Sequence, residues 1–165
     1  MNTSYTYRFI TIWKLNASIE EVWEAIHEQE QWPTWWKGVV KVETIKKGAP
    51  DNIGKVMRYT WKSFLPYTLA FDMVATQIEK PHILAGTAFG ELDGLGRWEI
   101  YQDGDITTLT YYWQVNTTKP WMNKLSWLLK PAFKWNHDIV MKWGAKGLAN
   151  KLGAKLLLAE NRFQD

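Results

Sequence analysis

The chain has 165 residues, a net charge of +3 and no cysteine. That length sets the expectation of one domain, residues 1–165, able to bury a substantial core, and the missing thiols exclude disulfides, thiolate nucleophiles and cysteine-based zinc sites. Only four arginines (Arg8, Arg58, Arg97, Arg162) stand among scattered lysines, so the concentrated basic patch of a nucleic-acid binder is missing and no nucleic-acid partner is expected.

The N-terminal stretch MNTSYTYRFITIWKL lacks the charged start, apolar run and small-residue cleavage site of a secretion signal. No run reaches the roughly 20 apolar residues of a membrane span. A cytoplasmic protein without stable membrane insertion is therefore expected. Residues 4 to 14 alternate and are rich in Tyr, Thr, Phe and Ile, which predicts a strand. In NASIEEVWEAIHEQ, Ser18 and Glu21 form the two halves of a capping box. Ile19, Val22, Trp23 and Ile26 follow on one helical face. QWPTWWKG then gives a second short helix that Gly38 ends.

From Val39 to Val115 the pattern is β, with strands expected at 39–46, 54–63, 67–79, 82–91, 96–102 and 106–116. Turn signals fall between them, at GAPDN (48–52), Leu65–Pro66, Lys80–Pro81, Gly94, Gly96 and Asp103–Gly104. Links this short imply an antiparallel meander. Three alternating sets should share one face: Met57, Tyr59 and Trp61; Tyr67, Leu69, Phe71 and Met73; Leu109, Tyr111, Trp113 and Val115. Thr118 and Pro120 open a further short helix reaching about Leu129. Its Trp, Leu and Lys pattern suits core packing, a lid or contact with lipid. The tail from Pro131 to Ala159 reads as one long helix, with Phe133, His137, Val140, Met141, Gly144, Leu148 and Leu152 on one face. Gly144 and Gly147 each weaken a helix by about 1 kcal/mol relative to Ala, so close packing should require them.

This order of elements resembles the START-like, or SRPBCC, superfamily. The segment EEVWEAIHEQEQWPTWWKGVVKVE is similar to the opening of its polyketide cyclase/dehydrase and lipid-transport families. GELDGLGRWEI, TLTYYWQVNTTKPWM and KPAFKWNHDIVM resemble a bacterial branch of that group. The resemblance implies an α+β helix-grip fold: a curved antiparallel sheet of about seven strands around a long C-terminal helix, with two short helices after the first strand. It also implies a deep cavity between sheet and helix. The fold hosts carriers, receptors and enzymes alike, so it does not choose an activity.

Twelve tryptophans either pack a tight core or line a space for an apolar guest. Residues expected to line it are Trp36, Tyr59, Trp61, Leu69, Phe71, Trp98, Tyr111, Trp113, His137 and Met141, around a pocket of roughly 300–1,000 Å³. The expected partner is a small hydrophobic ligand (lipid, isoprenoid or polyketide-like aromatic), with no cofactor and no metal. The alternative is cyclase or dehydratase chemistry on a polyketide-like substrate in the same cavity, with Glu91 and His137 as candidate catalytic acid–base groups. Glu91 facing the cavity would have a raised pKa. Equally, GELDGLG could be a β-turn with a structural Glu91–Arg97 pair. Asn136, His137 and Asp138 cannot form a triad on a helix, because adjacent side chains point about 100° apart. His137 alone shares the apolar stripe, where a histidine is ordinarily a hydrogen-bonded core residue.

Overall fold

A computed structural model describes residues 6–164. The order is β1 (Thr6–Leu15), α1 (Ile19–His27), a 3₁₀ turn (Gln29–Gln31), α2 (Trp32–Trp35), β2 (Val39–Lys46), β3 (Val56–Lys62), β4 (Thr68–Glu79), β5 (Ile83–Gly90), β6 (Leu92–Asp103), β7 (Ile106–Thr117), α3 (Pro120–Lys124), α4 (Ser126–Leu152) and β8 (Leu156–Gln164). Residues 4 and 5 of the first expected strand lie outside the described residues.

The sheet is antiparallel, in the order β2-β3-β4-β5-β6-β7-β1-β8. The registers put Met57 opposite Met73, Tyr59 opposite Phe71, Trp61 opposite Leu69 and Trp98 opposite Tyr111. Cross-strand partners share a face, so the alternating sets form one continuous aromatic surface. The long helix α4 covers it, giving the helix-grip arrangement.

Several local reasons hold the short helices in place. Ser18 caps α1 by accepting the Glu21 N–H, while the Glu21 carboxylate accepts the Ser18 N–H. The Gln102 side chain accepts the Ile19 N–H, and Thr107 donates to the Ala17 carbonyl, docking this helix on the sheet. Trp36, just after α2, donates its indole N–H to the Val140 carbonyl of α4 at 2.9 Å. A Cβ on Gly144 would lie 2.4 Å from the Trp36 ring, and one on Gly147 would lie 1.9 Å from the Trp35 carbonyl oxygen. The two glycines thus let α2 press against α4, as their helix-weakening presence implied.

The expected tail helix is corrected at both ends. It stops at Leu152, where Gly153 turns left-handed at φ 60° and its N–H bonds back to Asn150. Residues 156–164 instead form β8, an eighth strand on the outer side of β1. The helix also begins earlier, at Ser126, with Pro131 inside its second turn. So near the start, Pro removes a single ladder bond. The short helix expected over 118–129 is accordingly split into α3 and the first turn of α4.

Candidate functional site

A cavity of about 160 Å³ opens between α4 and the aromatic face of the sheet. Of the expected lining, Trp36, Trp61, Leu69, Phe71, Trp98, Tyr111, Trp113, His137 and Met141 border it. Tyr59 does not: it borders a smaller neighbouring space of about 90 Å³, on the side of α1 and α2. Trp32, Trp61, Phe71, Trp98 and Tyr111 line both, forming a partition of aromatic rings. Trp98 stacks on Tyr111 at 4.4 Å, and Tyr111 on Trp113 at 5.8 Å.

The cavity is smaller than the size expected from sequence, and the indoles explain why. Trp13 packs between Trp36 and Trp98, each at 5.3 Å, and all three are almost fully buried. Trp13 is therefore solid core, while Trp36 and Trp98 pack on it with one side and border the cavity with the other.

Tyr7, Phe9, Leu92, Val115, Met122 and Phe133 also line the cavity and were not among the expected set. Tyr7 and Phe9 alternate inward on β1, a period-2 signal readable in the sequence. Met122 could not be singled out, because α3 is too short for its pattern to point one way.

The polar groups on the wall fall into two kinds. Ser63 donates to the Asn136 side chain, Thr117 to Asn123, and Trp36 to Val140. The Trp61 indole N–H, the Tyr67 hydroxyl and both ring nitrogens of His137 are buried without a hydrogen-bond partner. His137 is thus not the hydrogen-bonded core histidine its position on the stripe suggested. Burial pushes its pKa down to about 3 against the opposing pull of Asp138, so the ring is neutral. Burial likewise pushes the Tyr67 hydroxyl up to about 12.

Glu91 sits differently from either expectation. It lies in the turn between β5 and β6, where Gly90 takes φ 110°. Its carboxylate accepts the Ala70 N–H at 2.8 Å and pairs with Lys119. Burial raises its pKa, but those two partners outweigh it and hold the carboxyl below its ordinary value. Arg97 is not its partner; it bonds Glu99 and Gln77. Asp93 and the following glycines run in β6, not in a turn. Asp138 pairs with Lys142 and accepts from Asn161, so Asn136, His137 and Asp138 point to three separate places. No three His, Asp or Glu side chains among the described residues are grouped for a metal ion, and no helix among them is long and apolar enough to cross a membrane.

Around the cavity's outer end, α3 and the start of α4 bury Met122 and Ser126 and turn Trp121, Leu125, Trp127 and Leu128 outward. Phe64, after β3, is exposed beside Trp135, and Tyr67 meets Trp121 edge-on at 5.9 Å.

Residues 12–153 match the family described as polyketide cyclase/dehydrase and lipid transport. No functionally curated protein matches the chain. Among solved structures, the aromatase/cyclase ZhuI of Streptomyces sp. R1128 superposes with a TM-score of 0.73 at 11% identity, covering 90% of this chain and 94% of its own. A Thermus thermophilus protein gives 0.69 at 14% identity over 87% and 98%. A START superfamily protein of Mycobacterium smegmatis gives 0.65 at 13% identity over 89% and 97%. At such identities the likeness is one of fold alone.

Proposed function

The chain belongs to the polyketide cyclase/dehydrase and lipid-transport family, within the START/SRPBCC superfamily, and we propose that it binds or carries a small hydrophobic molecule between the sheet and α4. The observation that carries this reading is the apolar cavity of about 160 Å³ walled by Trp36, Trp61, Leu69, Phe71, Trp113 and Met141. A dry apolar space of that order accepts a single aromatic ring. A larger guest, such as a lipid, isoprenoid or fused polyketide, requires the partition at Trp61, Phe71 and Tyr111 to move and join the neighbouring space.

Cyclase or dehydratase chemistry in the same cavity is the second reading. What favours it is His137, the one imidazole among the lining residues, with both ring nitrogens unengaged, although a pKa of about 3 makes it a weak base until a bound substrate changes its surroundings. Glu91, tied to Ala70 and Lys119 outside the lining, gives it no support.

Native mass spectrometry of the purified protein, with tryptophan-fluorescence titration against fatty acids, isoprenoid alcohols and naphthols, tests the binding reading. A retained or added small molecule with saturable quenching is expected. No bound species and no saturation across all three classes would overturn it.

A further inference from the structure

The cavity's polar atoms point to a narrower class of guest, an inference that rests on the binding reading above. Burying a polar group without a partner costs free energy that folding ordinarily avoids, so orphaned donors and acceptors need an explanation. Here three such side chains, Trp61, Tyr67 and His137, line one apolar space. They come from neighbouring places in the fold. Ser63, two residues after Trp61, donates to Asn136, which precedes His137 on α4, and Tyr67 lies just across the same β3–β4 turn.

We propose that the cavity takes an uncharged apolar molecule bearing a hydroxyl group, with Trp61, Tyr67 and His137 as the groups that recognise it. The neutral imidazole offers one bare nitrogen and one N–H, the indole only a donor, and the phenol either role. These polar atoms have almost no accessible surface of their own, so the three side chains must turn slightly towards the guest; its hydroxyl can then donate to the bare nitrogen of His137 and accept from the Trp61 N–H or the Tyr67 hydroxyl. A pure hydrocarbon leaves all of these atoms unpaired. A carboxylate would enter an apolar site with no cation among the lining residues, and desolvation penalises it.

Isothermal titration calorimetry at pH 7 with toluene, 4-methylphenol and 4-methylbenzoate separates the possibilities. The expected result is 4-methylphenol binding about tenfold tighter than toluene, with 4-methylbenzoate weakest. His137→Phe keeps a flat ring against Phe9, and Tyr67→Phe keeps the phenyl ring, so the readout is the ratio of the two affinities within each variant. Each should lose about three- to tenfold of the preference for 4-methylphenol over toluene. Equal affinity for toluene and 4-methylphenol overturns this inference while leaving the binding reading intact. So does a preference that survives in both variants, or one for the carboxylate. No binding of any of the three also overturns it, and the binding reading falls with it only if the fatty acids, isoprenoid alcohols and naphthols fail as well.

A second inference rests on the outer surface and not on the cavity. Trp127 is 77% exposed, Phe64 63%, Leu128 57% and Trp135 53%, and these belong to the β3–β4 loop and α4, which also supply Leu65, Tyr67 and Phe133 to the lining. No Asp or Glu occurs from Gly54 to Phe71 or from Ile106 to His137, whereas both stretches carry lysines. Glu91, nearby, is neutralised by Lys119. We infer that this face docks on an anionic lipid bilayer. An exposed indole with the exposed Lys124 three residues before it suits the headgroup boundary, and two copies pressed face to face would set Lys124 against its equivalent.

Flotation with vesicles of phosphatidylcholine alone, or with one quarter phosphatidylglycerol, tests it. Salt-sensitive binding to the anionic vesicles is expected, weakened about tenfold by Trp127→Ala and about fivefold by Lys124→Gln. No binding to the anionic vesicles overturns it, as does a stable dimer by sedimentation that Trp127→Ala dissociates.

Discussion

The imidazole of His137 lies flat on the ring of Phe9, with centroids 3.8 Å apart and planes 16° from parallel. The stack holds the ring among the residues that line the cavity, and both its nitrogens are buried without a partner. Neighbouring β1 and α4 are thereby joined through a histidine that gains contact area and forgoes hydrogen bonds.

This arrangement makes stability pH-dependent. The unfolded chain carries an ordinary histidine of pKa 6.5, whereas burial pushes the folded one down to about 3. Protons therefore favour the unfolded state as pH falls. The contribution is fully present above about pH 6.5 and is lost progressively towards pH 3. By pH 5 this group alone should cost about 2 kcal/mol. Urea unfolding at pH 7.5 and pH 5 should show that loss in the wild type and a smaller one in His137→Phe. An identical pH dependence in both proteins would contradict the assignment.

Gly147→Ala should destabilise the protein, against helix propensity. Ala is worth about 1 kcal/mol over Gly in an open helix, but here the new Cβ would overlap the Trp35 carbonyl. A net loss of about 2–3 kcal/mol is expected in urea unfolding. Gly144→Ala should also lose stability, because Trp36 is held against it by the bond to Val140. Stabilisation by either substitution would mean that α2 does not press on α4 as described.

Filling the cavity should abolish binding without unfolding the chain. Leu69 sits at the wall opposite Trp61, and Leu69→Trp places an indole in the open space. Affinity for 4-methylphenol should drop at least about tenfold, while urea unfolding changes by no more than about 3 kcal/mol. Unchanged affinity would put the guest elsewhere.

Glu91→Gln should leave binding almost untouched. The carboxylate is partly exposed and engaged with Ala70 and Lys119, away from the lining. A stability loss of about 1 kcal/mol or less is expected. The lowered pKa means that this contribution is present at neutral pH and fades as acid protonates the carboxyl. Loss of 4-methylphenol binding in this variant would restore Glu91 to the site.

Much of the architecture was legible from local chemistry. The Ser18–Glu21 capping box, the period-2 aromatics of β3, β4 and β7 and the turn residues between strands each act within a few positions of themselves. What failed depended on distant partners. LLLAENRF follows a helical run and is rich in helix-forming residues, yet it pairs with β1, and the stop signal was a single left-handed Gly153. Likewise, the lining set was mostly readable because cross-strand neighbours share a face. Tyr59 fell on the far side of an aromatic partition that no periodicity reveals. The Glu91–Lys119 pair joins residues 28 positions apart through the return of β7 beside β6, so the sequence-near Arg97 looked the better partner.

A crystal structure of the protein soaked with 4-methylphenol tests the central claim most directly. Density for the ring is expected between α4 and the sheet against Trp36 and Phe71, its oxygen within hydrogen-bond reach of His137 and of Trp61 or Tyr67. An interior closed by the protein's own side chains, with the His137 nitrogens bonded to protein atoms and the phenol bound elsewhere, would contradict it.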